Sequence, residues 1–342
     1  MRTNLHHVRP RVLIPTLLAA IAVAAMVALL VGSVRIPPGE VWRQISQAIA
    51  GQGSGDATAS ILLNTRLPRI ILAIVVGAAM GLAGLAAQTL FRNPLASPYV
   101  MGVSNGAAVG AVAAMLLIGR AISYATVPAF SVAGGLLVTV AVFALARRGQ
   151  HFGQSLLLAG IAISAFASAL TAAALYLAGE RLQTLVFWLM GGLWQATWRD
   201  VQIMTPITGA STIALMLLAP AMNVALTGER SAGDLGVNVR RLQKALLVIV
   251  AAATSVAVSL TGVIGFVGLV VPHLLRLLIG ADHRALVPAS ALGGGLLLLI
   301  ADTLARTLAA PAEIPVGILT ALLGAPIFLW LLQRRAARRM AI

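Results

Sequence analysis

The residue types in this 342-residue chain that could do chemistry are few, and most sit inside apolar runs. Gly102 to Gly106 read GVSNG, the pattern of a nucleophile elbow. That motif activates a serine only on a strand-to-helix turn with an acid and a histidine within reach. Ser104 with His273 of VVPHLLRLL would make an intramembrane serine protease. The surrounding residues instead read as a helix start, with Ser104 and Asn105 capping and Gly106 packing. His273 and His283, the latter in GADHR, have no second ligand at helical spacing, so hydrogen bonding at helix ends is expected rather than haem or metal ligation. Asp302 and Arg306, four apart in LLIADTLARTL, share a helix face and are expected to pair. A proton relay needs more intramembrane carboxylates than that one. The chain has no G-x-x-x-x-G-K-[ST], and its only lysine, Lys244, follows RRLQ, so a phosphate-cradling loop of its own is not expected. Cysteine is absent, which excludes disulfides, thiolate metal sites and cysteine nucleophiles.

The elements that must position these residues are membrane helices. Hydrophobic residues make up 60% of the chain and charged ones only 10%, far from the balance of soluble domains. Polar breaks divide the apolar sequence into about ten spans of the roughly 20 residues a bilayer requires. They are expected near 12–34, 68–91, 100–118, 126–146, 153–177, 202–222, 243–264, 267–279, 285–308 and 314–333, the eighth being short. The first is longer than a signal-peptide core and reads as an uncleaved helix. With both termini cytoplasmic, 16 of the 24 basic residues fall inside, ending in the RRAARR tail, so membrane topology accounts for the net charge of +15 without nucleic acid. The segments 35–65 and 179–200 read as outside interfacial helices, the second with Trp188, Trp194 and Trp198 suited to the headgroup layer. Ala73, Gly77 and Gly81, Gly106 and Gly110, and Gly293 to Gly295 are small-residue positions where helices approach closely.

Two polar stretches interrupt the spans on the inner side. In RNPLASP, Pro94 and Pro98 cannot continue a helix, so the chain turns beside Arg92 and Asn93. Non-helical backbone near membrane depth is tolerated only when packed in protein or lining a wet cavity. TGERSAGDLGVNVRRLQK, residues 227–244, is long enough for a short helix. Glu229 suits its positive end, Ala232 and Leu235 would form an apolar face, and Gly236 would end it, giving a knob for a partner's groove.

Together RLPR (66–69), RNPLASP, GVSNGAAVG, LLLAGIAISA, FWLMGG, GERSAGDLG, GFVGLVVPHLLRLL, GADHR, ADTLAR and IPVGILTALLGAPIFLWLL, in that order, resemble the FecCD-type permeases of bacterial ABC importers for ferric siderophores, haem and cobalamin. The resemblance implies an all-α, polytopic fold of about ten transmembrane helices, the type II ABC importer permease fold, as one domain over 1–342 with a coupling loop at 223–243. It implies a second permease copy, two cytoplasmic ATPases that use ATP and Mg, and a periplasmic binding protein. No cofactor or metal would be bound by this chain itself. Carried over, Arg66, Arg69 and Arg306 would meet acidic residues of the binding protein, and Glu229, Ala232, Leu235 and Gly236 would form the ATPase-coupling helix. Gly153 and Gln154 match a cytoplasmic gate by position but not by type, and Asn93, Pro94 and Pro98 form a structural turn near the pathway. The rival is a secondary carrier driven by an ion gradient. Cargo does not follow from these motifs, and an iron chelate is favoured on the breadth of the family. Ser104→Ala is expected to leave uptake intact; loss of uptake by a normally folded variant would restore the hydrolase reading.

Overall fold

The computed structural model describes residues 8–32, 36–51, 56–117, 124–147 and 152–340, with side chains to 329. The basic positions Arg2, Arg35, Arg120 and Arg148 of the charge count, and the side chains of the RRAARR tail, lie outside that set. Among the described residues every regular element is helical: α1 Pro10–Leu30, α2 Pro38–Ile49, α3 Ala57–Ser60, α4 Leu67–Leu90, α5 Val103–Leu117, α6 Thr126–Ala146, α7 Phe152–Tyr176, α8 Leu182–Leu189, α9 Trp198–Ala225, α10 Glu229–Asp234, α11 Val239–Thr261, α12 Val267–Ile279, α13 His283–Ala305 and α14 Val316–Met340. The expected spans coincide with α1, α4, α5, α6, α7, α9, α11, α12, α13 and α14. Seven of these helices are long and apolar enough to cross a membrane, the second counted from Ala57 to Leu90; α5, α12 and the apolar part of α14 are shorter.

α4 occupies the middle. Of its most apolar 18-residue stretch 83% is buried, against 11% for α1 and 17% for α7. A helix that is apolar all round is stable only when surrounded, and here glycine lets its neighbours come to backbone contact. A Cβ on Gly77 would lie 2.3 Å from the Gly294 carbonyl oxygen of α13, and one on Gly84 only 1.8 Å from that of Gly268 in α12. Gly110 of α5 meets the Phe130 carbonyl of α6 in the same way. The small-residue positions of the sequence are thus the α4–α13 and α5–α6 seams.

Several boundaries differ from expectation for local reasons. Pro68 does not start a new helix: α3 runs through a π-helical stretch, Ile61–Arg66, directly into α4. That wider turn relieves the crowding a proline imposes on the preceding carbonyl. The resulting rod of 34 residues extends well past the thickness a span requires. α5 begins at Val103 rather than near 100 because Pro98–Met101 forms a 3₁₀ turn closed by Gly102 at φ +75°. Ser104 lies buried in the first turn of α5, and no strand precedes it, so the elbow geometry is missing. Asn105 does not cap; its amide reaches Ser164 O and Ser168 Oγ of α7 at 3.3 and 3.4 Å. Trp198 of α9 donates to Leu63 O at 2.9 Å, behind a Thr197–Asp200 capping box.

Gly84→Leu should lower thermal stability by about 1–3 kcal/mol or more, since neither backbone can yield cheaply, whereas Gly209→Leu, where a Cβ meets open space, should leave the melting temperature unchanged. Equal melting temperatures would contradict the seam.

Candidate functional site

The C-terminal end of α4 closes with a Schellman motif. Asn93 N donates to Gln88 O and Arg92 N to Thr89 O, at 3.1 and 3.2 Å. The left-handed position that glycine usually fills in this motif is Arg92, at φ +47°. A non-glycine residue there costs about 1–2 kcal/mol. Asn93 Oδ1 then accepts from Leu95 N at 3.0 Å, and Pro94 prevents the helix from resuming. The Arg92 side chain forms an ion pair with Glu229 at the first position of α10, whose carboxylate also accepts from Gln243 Nε2 of α11 at 3.2 Å.

α10 closes with the same motif built conventionally: Gly236, at φ +82°, donates to Gly233 O, and Val237 N donates to Ala232 O. The expected joint apolar face of Ala232 and Leu235 is corrected. Ala232 is fully buried within the chain, in the wall it shares with Thr89, Leu90 and Leu246, whereas Leu235 points outward at 66% exposure. A helix of six residues has too few positions for one face to serve both core and partner. Gly153 and Gln154, at the start of α7, line a cavity of about 370 Å³ together with Arg92, Asn93 and Glu229. Turn, knob and gate positions therefore meet at one place.

Behind them runs a polar chain that the motifs did not reveal. Asn223, near the C-terminal end of α9, accepts at Oδ1 from both His283 N and Nδ1, at 2.8 and 2.7 Å. Nδ1 therefore carries a hydrogen, and Nε2 lies within hydrogen-bond distance of the Thr89 hydroxyl, 3.0 Å away on α4. Asn223 Nδ2 donates to Asp282, the N-cap of α13, at 2.7 Å. That bond first, and the Arg284 backbone N–H second, hold the Asp282 carboxyl below its usual range. Because the shift is downward, its contribution is present at neutral pH and is lost as acid titrates Asp282 through its lowered value. His283 thus has the helix-end role read from the sequence. His273 instead lies buried inside α12, away from either end. Among the described residues no group of three or more His, Asp or Glu is placed to hold a metal.

At the opposite end, Arg66, Arg69 and Arg306 come together, but buried, at 4%, 6% and 4% exposure. The expectation of three guanidiniums presented to a docking partner is corrected: they are occupied within the chain. Arg69 grips Asp302 with Nε and Nη2 at 2.9–3.0 Å and Glu313 with Nη1 at 3.0 Å. Asp302 and Arg306 also pair, at 3.6 Å. Arg306 donates to Ala28 O at 2.8 Å and Arg66 to Leu29 O at 2.6 Å. Those are carbonyls of the last turn of α1, which have no partner inside their own helix, and cations suit that negative end. The i,i+4 spacing revealed Asp302–Arg306; Arg69 reaches Asp302 from 233 residues earlier in the chain, and Glu313 reaches Arg69 from the loop after α13, both beyond any sequence period.

Asp302→Asn leaves Arg69 without most of its buried counter-charge, and breaking such a pair costs about 3–5 kcal/mol. The melting temperature should fall accordingly, and Glu313→Gln, at the partly exposed partner, should cost less. Equal effects would contradict this ranking.

The chain matches the FecCD transport family over residues 19–334. It is 42% identical to the hemin transport system permease protein HmuU of Yersinia pestis, over 97% of this chain and 98% of that one. It is also 42% identical to the cobalamin import system permease protein BtuC of Halobacterium salinarum, over 94% and 87% respectively. A solved metal-chelate type ABC transporter, in an inward-facing conformation, superposes with a TM-score of 0.83 at 30% identity, covering 95% of this chain and 99% of that one. PsaBC from Streptococcus pneumoniae shares the fold at TM-score 0.50 and 16% identity. With nearly its whole length matched, this chain belongs to the FecCD transport family.

Proposed function

We propose that the chain is the transmembrane permease subunit of an ATP-driven ABC importer of the bacterial inner membrane. Its cargo would be a metal chelate: an iron complex such as haem or a ferric siderophore, or cobalamin. End-to-end likeness to the hemin and cobalamin permeases supports the class. The observation that carries the mechanism is the Arg92–Glu229 ion pair, which ties the exposed knob α10 to the turn ending the central helix.

In this reading α10 faces the cytoplasm with both termini, and Leu235 enters a groove on one of two ATPase subunits, which bind the ATP and Mg. A second permease copy completes the path. ATP-driven closure of the ATPases displaces α10, and Arg92 carries that displacement to RNPLASP and to the cavity edge at Gly153 and Gln154. An ion pair this exposed adds at most about 1 kcal/mol. Its value is therefore positional, and the strained backbone of Arg92 is retained for its side chain. A periplasmic binding protein delivers cargo at the other end, where Arg66, Arg69 and Arg306 serve docking by fixing the ends of α1, α4 and α13.

Leu235→Glu should cut uptake by about tenfold or more through lost docking, while the ATPases retain basal hydrolysis; unchanged uptake in proteoliposomes would refute the knob. Arg92→Gly removes the strain and the ion pair together. It should leave the melting temperature equal or higher while uptake falls, and normal uptake would refute the linkage.

A further inference from the structure

Between α6 and α11 lies a groove of about 370 Å³ whose walls are apolar, formed among others by Leu136, Val140, Phe143, Leu247 and Val248. Val140 and Val248 are 66% and 65% exposed, so the groove opens outward between two spanning helices. One end is cationic. Lys244, the only lysine of the chain, lines it with its Nζ 6.0 Å from the centre of the Phe143 ring. Among the described residues Lys244 is in no ion pair. One helical turn toward the same end, Arg147 follows Phe143 and Arg240 precedes Lys244, each four residues away and so on the same helix faces. No acidic residue lines the groove.

We propose that this groove is a binding site for an anionic phospholipid. Its acyl chain lies along Leu136, Val140 and Val248, and its phosphate meets the Lys244 ammonium. Lys244 stands within the first two turns of α11, where a lysine stem can pack on apolar surface while its head reaches the interface. Basic pockets between membrane helices are suited to anionic headgroups. A second copy of the chain fits this face poorly. A two-fold contact would bring Lys244, Arg147 and Arg240 toward their own counterparts with no carboxylate between them. Because α11 starts just after the α10 cap, the lipid would hold the root of the knob at the membrane surface.

Native mass spectrometry of the full chain in detergent, titrated with phosphatidylglycerol or phosphatidylcholine, tests the site. The wild type should retain phosphatidylglycerol preferentially. Lys244→Gln should weaken that preference about fivefold, Lys244→Arg should keep it, and Val140→Trp, which fills the groove, should weaken retention of phosphatidylglycerol. Arg43→Gln, at the opposite end of the bundle, should change nothing. Glycerol phosphate at millimolar concentration should not compete, since it lacks the acyl chain. Wild-type binding by Lys244→Gln or Val140→Trp, or competition by glycerol phosphate, would overturn the proposal. So would an intermolecular disulfide through Val140→Cys in this cysteine-free chain, which would show a second copy on that face.

Discussion

Everything in this molecule is arranged around one steric condition: α4 touches its neighbours through backbone. Between membrane helices water does not drive association, so close packing and polar contacts must do so. The carbonyls of Gly294 and Gly268 occupy the space that Cβ atoms on Gly77 and Gly84 would take. With α13 and α12 so close, displacement of α4 meets packed backbone on two sides. A central rod held this way transmits displacement between its ends instead of absorbing it, because packed interiors deform little.

The two ends of the rod are built in contrasting ways. The N-terminal end is a buried charge cluster in which Arg69 joins α4 to Asp302 and Glu313, while Arg66 and Arg306 close the carboxyl end of α1. Partly desolvated charges with hydrogen-bonding partners are costly to separate, so this end is rigid. At the C-terminal end an exposed ion pair and a strained turn join α4 to a six-residue helix. Contacts of that kind hold position cheaply and can follow a partner. Thr89, His283, Asn223 and Asp282 tie the same region to α9 and α13, so the ends of three helices are joined there by hydrogen bonds.

Much of this was legible in the sequence, for physical reasons that also explain the rest. Spans emerge from apolar length, the seams from glycine spacing, and the Asp302–Arg306 pair from helical periodicity. The turn at RNPLASP follows from proline chemistry, although nothing local announced that Arg92 would take the glycine position. The orientation of α10 was not legible, because in six residues the core and the surface compete for the same positions; Ala232 went in and Leu235 out. The inward fate of Arg66 and Arg69 was hidden for a different reason. Their partners, the α1 carbonyls and Glu313, come from distant segments, and an outside arginine reads alike whether it meets another protein or caps a neighbouring helix. Pro68 was misleading because a π-helical stretch can absorb what an α-helix cannot.

The central claim is that α10 and the turn at Arg92 move as one body. In a chain without cysteine, Arg92→Cys and Glu229→Cys can be introduced together and joined with a short, cleavable thiol-to-thiol crosslinker, with uptake followed in proteoliposomes containing the ATPases. If the two segments are one body, the unlinked double variant is impaired and crosslinking restores uptake. If they must separate during the cycle, crosslinking stops uptake and cleavage releases it, which would contradict the account.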